Sequence, residues 1–510
     1  MPELADAPIV STMSLAESLA DTIGSTGIAA GGATVARLAE ALGGGRLTAA
    51  ELTAFYLARI GRLNPDLHAV ITVSPTAAAE AAASDDRRAR DGGLGPLDGI
   101  PVLIKDNVSA LGLPATAGSP ALARAAATDA FLVARLRAAG AVILGKANLS
   151  EWANFRSRPS SSGLSTLGGQ AVNPHSVARS TSGSSSGSGA AIAAGLAPLA
   201  VGTETDGSIV SPASACGTVG IKPTVGLVSR SGIVPISAAQ DTAGPMTRTV
   251  ADAAALLTVM AGPDRADPAT ERAAAEACDY GAFLDPAALA GARLGIWRAG
   301  SKDANRATAA VLDAAVARLR AQGAHVVDPI ELDGIDKIED PENTALTLEF
   351  KHDVNAYLAG LGGEHPADLA DLIAFNEAHA ATVLQYFGQE QFEASEATSG
   401  DMADPDYVEA RAAATRIARS VLDGALTEGR LDALVYLTGS PTWLIDPVLG
   451  DAHRWGTSGP AAVAGYPSIT VPAGAMGGLP VGLSFTGPAW SEPRLIALAH
   501  SFELAGGAVA

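Results

Sequence analysis

The chain has 510 residues, 48% of them hydrophobic and only 4% aromatic, so it can bury a sizeable core built mainly from Ala, Val, Leu and Ile. Its 34 Lys and Arg against 54 Asp and Glu leave a net charge of −20, a surface that repels phosphate backbones and argues against nucleic acid as a direct partner. Cys216 and Cys278 are too few for a disulfide framework, and the eight histidines show no ligand spacing, so no metal or other cofactor is expected.

Residues 1–34 carry Glu3 and Asp6 where a signal peptide would have Lys or Arg. No stretch approaches the roughly 18 consecutive apolar residues of a membrane span; the longest, residues 190–201, is broken by Gly195 and Pro198. A soluble, cytoplasmic protein with no membrane partner, working as a monomer or homodimer, is the expectation. Residues 1–65 read as an N-terminal helical segment. Within it, Thr48 and Glu51 form a capping box, Leu47 and Leu52 can act as a hydrophobic staple, and Leu52, Phe55, Tyr56, Ile60 and Leu63 recur at helical spacing.

From residue 66 to 510 no Pro-rich linker, like-charge run or repeat divides the chain, which predicts one large domain. Seven short apolar runs, at residues 100–104, 141–144, 199–201, 294–297, 325–327, 433–436 and 468–471, suit strands buried on both faces. Between the runs at 294–297 and 325–327, Val311, Leu312, Ala315, Val316 and Leu319 fall on one helix face, which makes a βαβ unit with parallel strands. The fold class is therefore α/β, a large mixed and mostly parallel sheet covered by helices on both faces. Residues 338–430 differ. They are poor in strand signals, rich in aromatics such as Phe350, Phe375, Tyr386 and Phe392, and read as a helical insertion that either packs or covers a pocket.

The segment at residues 180–189 reads Ser-Thr-Ser-Gly-Ser-Ser-Ser-Gly-Ser-Gly. Such composition usually marks a flexible linker. Here it runs straight into an apolar helical stretch and then a strand, and linkers do not open buried elements. Gly183-Ser184-Ser185-Ser186-Gly187 also matches the G-x-S-x-G nucleophile elbow, but that elbow needs a hydrophobic strand before it, and Asn173-Pro174-His175-Ser176-Val177-Ala178-Arg179 is not one. Further on, the strand at 199–201 ends in Gly202-Thr203-Glu204-Thr205-Asp206-Gly207-Ser208, and Pro212-Ala213-Ser214-Ala215 looks like a helix start. Ser208 thus sits at a strand–turn–helix junction, where converging backbone N–H groups suit an oxyanion. No histidine is near in sequence. Lys105, however, ends the apolar run Ile100-Pro101-Val102-Leu103-Ile104. It either snorkels to solvent or, if buried, loses its charge readily and becomes a general base.

These residues resemble the amidase signature family: Ser182 to Gly187, Gly202 to Ser208 with Ile209 to Pro212, Cys216-Gly217, Gly220-Ile221-Lys222-Pro223-Thr224, and Gly99-Ile100-Pro101 before Lys105-Asp106. Ala464-Gly465-Tyr466-Pro467 and Gly478-Leu479-Pro480-Val481-Gly482 are similar to its C-terminal elements. The resemblance implies a Ser–cis-Ser–Lys triad: Ser208 as nucleophile, Ser184 as bridging serine on a cis peptide, and Lys105 as base. It further implies an oxyanion hole from the backbone of Thr205, Asp206, Gly207 and Ser208, with Ser185 and Thr203 as supporting hydrogen-bond partners. Ser182 and Ser186 stand where the family often has glycine. That departure, together with Asn148-Leu149-Ser150-Glu151-Trp152-Ala153-Asn154 and Tyr386-Phe387-Gly388-Gln389-Glu390, resembles the peptide amidase branch, which converts C-terminal peptide amides to acid and ammonia. The implied substrate is a small-molecule or peptide amide. Aryl, aliphatic or fatty amides, carbamates, the glutaminase-type component of a tRNA amidotransferase and a non-catalytic binding protein are the alternatives. Glu151, Trp152, Asn154 and Gln170 are candidates either for lining the pocket or for packing behind it.

Overall fold

The computed structural model describes residues 15–506, so Glu3 and Asp6 lie outside the described residues. Eleven strands form one mixed sheet. In chain order they are β1 (Val70–Val73), β2 (Pro101–Lys105), β3 (Val142–Ala147), β4 (Leu199–Glu204), β5 (Val219–Lys222), β6 (Thr242–Thr247), β7 (Arg293–Ile296), β8 (His325–Val327), β9 (Ala433–Leu437), β10 (Ser468–Met476) and β11 (Leu479–Thr486). Across the sheet they lie β1-β3-β2-β4-β6-β5-β10-β11-β9-β7-β8.

All seven apolar runs became strands. Parallel pairing is less extensive than the sequence suggested. It is confined to the blocks β3-β2-β4 and β8-β7-β9, and the six other junctions are antiparallel. The reason is local. β10 and β11 are joined through Gly477-Gly478, whose φ angles of 58° and 80° make the two-residue hairpin that antiparallel strands require.

Helix α1 (Ala49–Leu67) starts at the expected capping box: Thr48 Oγ1 accepts from Glu51 N at 3.0 Å while Glu51 Oε2 accepts from Thr48 N at 2.9 Å. The helix runs past residue 65, and its buried Leu52, Tyr56 and Ile60 join the same core as Leu103 and Ile143 of the sheet. Helices α2 (Ser186–Ala193) and α3 (Val210–Cys216) flank β4 in sequence. Helix α4 (Arg306–Ala321) buries Val311, Leu312, Ala315, Val316 and Leu319 and links the parallel β7 and β8.

Between β8 and β9 the chain is mainly helical, from α5 (Glu339–Ala359) to α6 (Pro405–Gly429). Its aromatics form a separate cluster. Phe350 and Phe392 stack at 5.1 Å, Trp152 meets Phe392 edge-on at 5.4 Å, and Phe155 lies 4.9 Å from Phe350. The helical segment is thus fastened to residues 152–155.

Candidate active site

Strand β2 is buried along its whole length and flanked by parallel partners on both sides. Lys105 at its end has no exposed surface, so snorkelling is impossible. Its Nζ lies 2.8 Å from Ser184 Oγ, 2.8 Å from Thr203 Oγ1 and 3.2 Å from the Thr203 carbonyl oxygen. No carboxylate among the described residues forms an ion pair with it. Burial disfavours the ammonium and pulls its pKa from 10.5 to about 7, against the opposing charges of Glu204 and Asp241. Near neutral pH a large share of Lys105 is the free amine.

The serine-rich segment is not a linker. Ser184, Ser185, Ser186 and Ser188 are all fully buried, and α2 begins inside the segment. The residues before it form an open hairpin, not a strand of the main sheet, which rules out the elbow reading. The Gly183–Ser184 peptide bond is cis. Only glycine fits at 183, because a Cβ there would meet Ser150 Oγ at 2.3 Å. Ser185 stitches the segment to the end of β4: its Oγ donates to the Thr203 carbonyl at 3.1 Å and accepts from Thr203 N at 3.2 Å. Ser185 N also donates to the Ser208 carbonyl at 3.1 Å, which ties the two serine-bearing turns together.

After β4 the chain turns through Thr205 to Ser208, with Gly207 at φ 79°. The first donors of α3 are already taken, since Glu204 Oε2 accepts from Ile209 N at 2.8 Å and Val210 N at 3.0 Å. The free donors lie one step earlier. Backbone N–H groups of Asp206, Gly207 and Ser208 meet no acceptor among the described residues. Thr205 is held by its side chain, Oγ1 donating to Asp241 Oδ1 at 2.5 Å. The Asp206 carboxyl hydrogen-bonds Ser458 and is raised by burial to about 6. Ser184 and Ser208 line one narrow pocket. Their hydroxyls make no hydrogen bond with each other, Ser184 Oγ being engaged by Lys105 Nζ.

A family model described as Amidase matches residues 51–496. The chain belongs to the amidase signature family. It is 42% identical over 485 residues to a probable amidase of Arabidopsis thaliana, covering 93% of this chain and 90% of that one. It is 35% identical over 487 residues to a glutamyl-tRNA(Gln) amidotransferase chain of Symbiobacterium thermophilum, covering 92% and 96%. Among solved structures, the native peptide amidase from Stenotrophomonas maltophilia matches at 49% identity and a TM-score of 0.88, over 92% of this chain and 96% of that one. The protein is a hydrolase acting on carbon–nitrogen bonds of amides.

The pocket of this amidase has an apolar wall of Ala153, Ile233, Val234 and Ile236. Asn107, Arg230 and Asp241 face the same space, and none was singled out from sequence. Asn107 alone carried a signal, its place two residues after the strand-end lysine. Of the four pocket candidates, none lines this space. Glu151 is buried against Arg156 at 2.5 Å, Trp152 packs on Phe392, Asn154 Nδ2 donates to Ser162 Oγ at 3.2 Å, and Gln170 Nε2 donates to the Ser162 and Ala171 carbonyls, each at 2.9 Å. They are packing residues here, with Glu151 and Gln170 bordering a separate hollow beside Tyr386 and Phe387. What the 152–154 stretch does supply is backbone. Its φ angles of 51°, 54° and 69° form a left-handed turn that presents Ala153 to the pocket. Among the described residues no cluster of His, Cys, Asp and Glu is arranged to hold a metal ion, and no helix is long and apolar enough to cross a membrane.

Proposed function

We propose that the protein hydrolyses the C-terminal carboxamide of peptides to the free acid and ammonia, through an acyl-enzyme on Ser208. The observation that carries this reading is a buried lysine, its pKa lowered to about 7, held 2.8 Å from Ser184 on the pocket that also contains Ser208. The Ser208 proton passes to Ser184 Oγ as the Ser184 proton passes to the neutral Lys105 amine, and the Ser208 Oγ–carbon bond forms. The N–H groups of Asp206, Gly207 and Ser208 receive the oxyanion, with Thr205 positioning the turn. The proton then returns from Lys105 through Ser184 to the amide nitrogen, the C–N bond breaks and ammonia leaves. Water repeats the cycle and releases the acid. Thr203 and Ser185 hold the relay in place. A peptide substrate is supported by the 49% identity to a peptide amidase, and an apolar wall formed by Ile233, Val234 and Ile236 suits the side chain next to the amide. The reading of a cytoplasmic enzyme agrees with two free cysteines, Cys216 and Cys278; a monomer or homodimer is part of the same proposal.

Release of the amine product, ammonia from peptide amides, glutamine and a fatty amide and aniline from an anilide, tests the substrate class. Peptide amides should give the highest kcat/KM; glutamine as best substrate would favour the amidotransferase-type reading. Ser208→Ala should abolish labelling by a serine-directed sulfonyl fluoride, and continued labelling would remove Ser208 from the mechanism.

A further inference from the structure

Asn107 is 3% exposed and lines the pocket that holds Ser184 and Ser208. Its Nδ2 donates to Thr203 Oγ1 at 3.0 Å, the same oxygen that lies 2.8 Å from Lys105 Nζ. Its backbone carbonyl accepts from Val234 N at 2.8 Å, which pins the residue against the apolar wall. Its Oδ1 has no hydrogen-bond partner. A buried acceptor left unpaired is unfavourable, because it has lost its water and gained no donor, and a side chain anchored through its other end cannot turn to find one. The remaining polar side chains of the wall are engaged. Thr205 binds Asp241, Asp241 Oδ2 also accepts from Ile236 N and Ser237 N, and Arg230 is paired with Asp267. Among the described residues lining this pocket, no other buried side-chain polar atom lacks a partner.

We propose that Asn107 Oδ1 accepts a hydrogen bond from the N–H of the scissile carboxamide and makes the enzyme select amides over esters of the same acid. The proposal rests on the Ser208–Ser184–Lys105 reading. An amide nitrogen brings hydrogens to this position. An ester oxygen brings only lone pairs, which would face Oδ1 unfavourably and leave it unpaired. A site built to bind an N–H rejects the analogue lacking it more strongly than an apolar site can. With one N–H held by Oδ1, the lone pair that develops on nitrogen as the carbonyl carbon becomes tetrahedral is left for the proton returning through Ser184.

The test is kcat/KM for a peptide amide and the methyl ester of the same peptide, measured on wild type, Asn107→Leu and Asn107→Ala. Both substrates give the same acyl-enzyme, so the ratio reads the acylation step alone. The amide-to-ester ratio should fall at least tenfold in both variants, while the pH midpoint for ester hydrolysis stays at the wild-type value. Equal losses on both substrates would overturn the proposal, because that is what a purely structural anchor on Thr203, or a carboxamide turned to offer Nδ2 to the substrate carbonyl, would produce. Leu keeps the volume and Ala removes strain, so a fold defect in one leaves the other to decide. Failure of the underlying reading looks different: Ser208→Ala would retain hydrolysis of either substrate.

Discussion

Replacing Lys105 by Met separates the chemistry of the site from its effect on the fold. Met has similar reach and no charge. In the wild type, burial lowers the lysine pKa from 10.5 to about 7, and at about 1.36 kcal/mol per pH unit this places roughly 5 kcal/mol of destabilisation on the folded state. The sign follows from proton counts. Between pH 7 and 10.5 the unfolded chain holds the proton and the folded one does not, so this group's contribution to stability rises with pH across that window. The penalty is complete below the folded value and gone above the unfolded one. Met removes it at every pH but leaves the Ser184 and Thr203 hydroxyls without their amine neighbour, a loss of about 1 kcal/mol each. The variant should therefore be more stable than wild type by about 1–3 kcal/mol at pH 7, and no more stable at pH 10. Urea unfolding midpoints at the two pH values, alongside ammonia release, provide the assay, and amide hydrolysis should fall by roughly a thousandfold or more. A variant less stable than wild type by the same margin at both pH values would refute the premise that Lys105 is buried and neutral.

For the wild type, kcat/KM should rise with pH and level off above about 7, where Lys105 loses its proton. Glu204→Gln removes the larger of the two charges that hold the lysine value up while keeping an acceptor for the α3 cap, so the acid limb should move to lower pH; a limb that stays put would mean Glu204 is not felt at Lys105. Gly207→Ala puts a Cβ 2.8 Å from Ser458 Oγ and 2.9 Å from Ser211 Oγ on a residue at φ 79°. Distortion of the donor turn should lower kcat by about a hundredfold with little change in KM. Thr48→Ala breaks the capping box of α1 and should cost about 1 kcal/mol in unfolding experiments with kcat unchanged.

Strands that are continuous apolar runs were readable, and the four that were not each break that pattern. β6 reads Thr-Ala-Gly-Pro-Met-Thr and β11 Leu-Pro-Val-Gly-Leu-Ser-Phe-Thr, with Gly and Pro inside the strand. β5 is Val-Gly-Ile-Lys, and β1 is a four-residue edge strand. At the proposed site, Lys105 and Ser208 stand out through local context, the end of an apolar run and a strand–turn–helix junction, whereas Ser184 is pointed to only by the resemblance to the amidase signature family. Arg230, Asp241 and the apolar wall do not stand out, because residues 229–241 have no periodicity. Their position depends on long-range ties, such as Val108 bridging Ile233 and Val234 N donating to the Asn107 carbonyl. Glu151 belongs to the segment that resembles the peptide amidase branch, yet its partner is Arg156, five residues on.

The sheet topology explains how, in the proposed mechanism, a lysine can take the place a histidine usually fills. β3, β2 and β4 run parallel, so their carboxyl ends open on the same edge. β2 delivers Lys105 there, β4 delivers Thr203 and the turn to Ser208, and the segment after β3 supplies Ser150 N, which donates to the Ser184 carbonyl at 3.1 Å. Lys105 and Ser184 are 79 residues apart in sequence and adjacent in space only because of this arrangement. The same packing that brings the groups together also removes water from the amine. A lysine on an outer strand or a loop would keep its charge and could accept no proton near pH 7. At the end of a central parallel strand, one feature of the fold both positions the proposed base and lowers its pKa into the range the proposed mechanism needs.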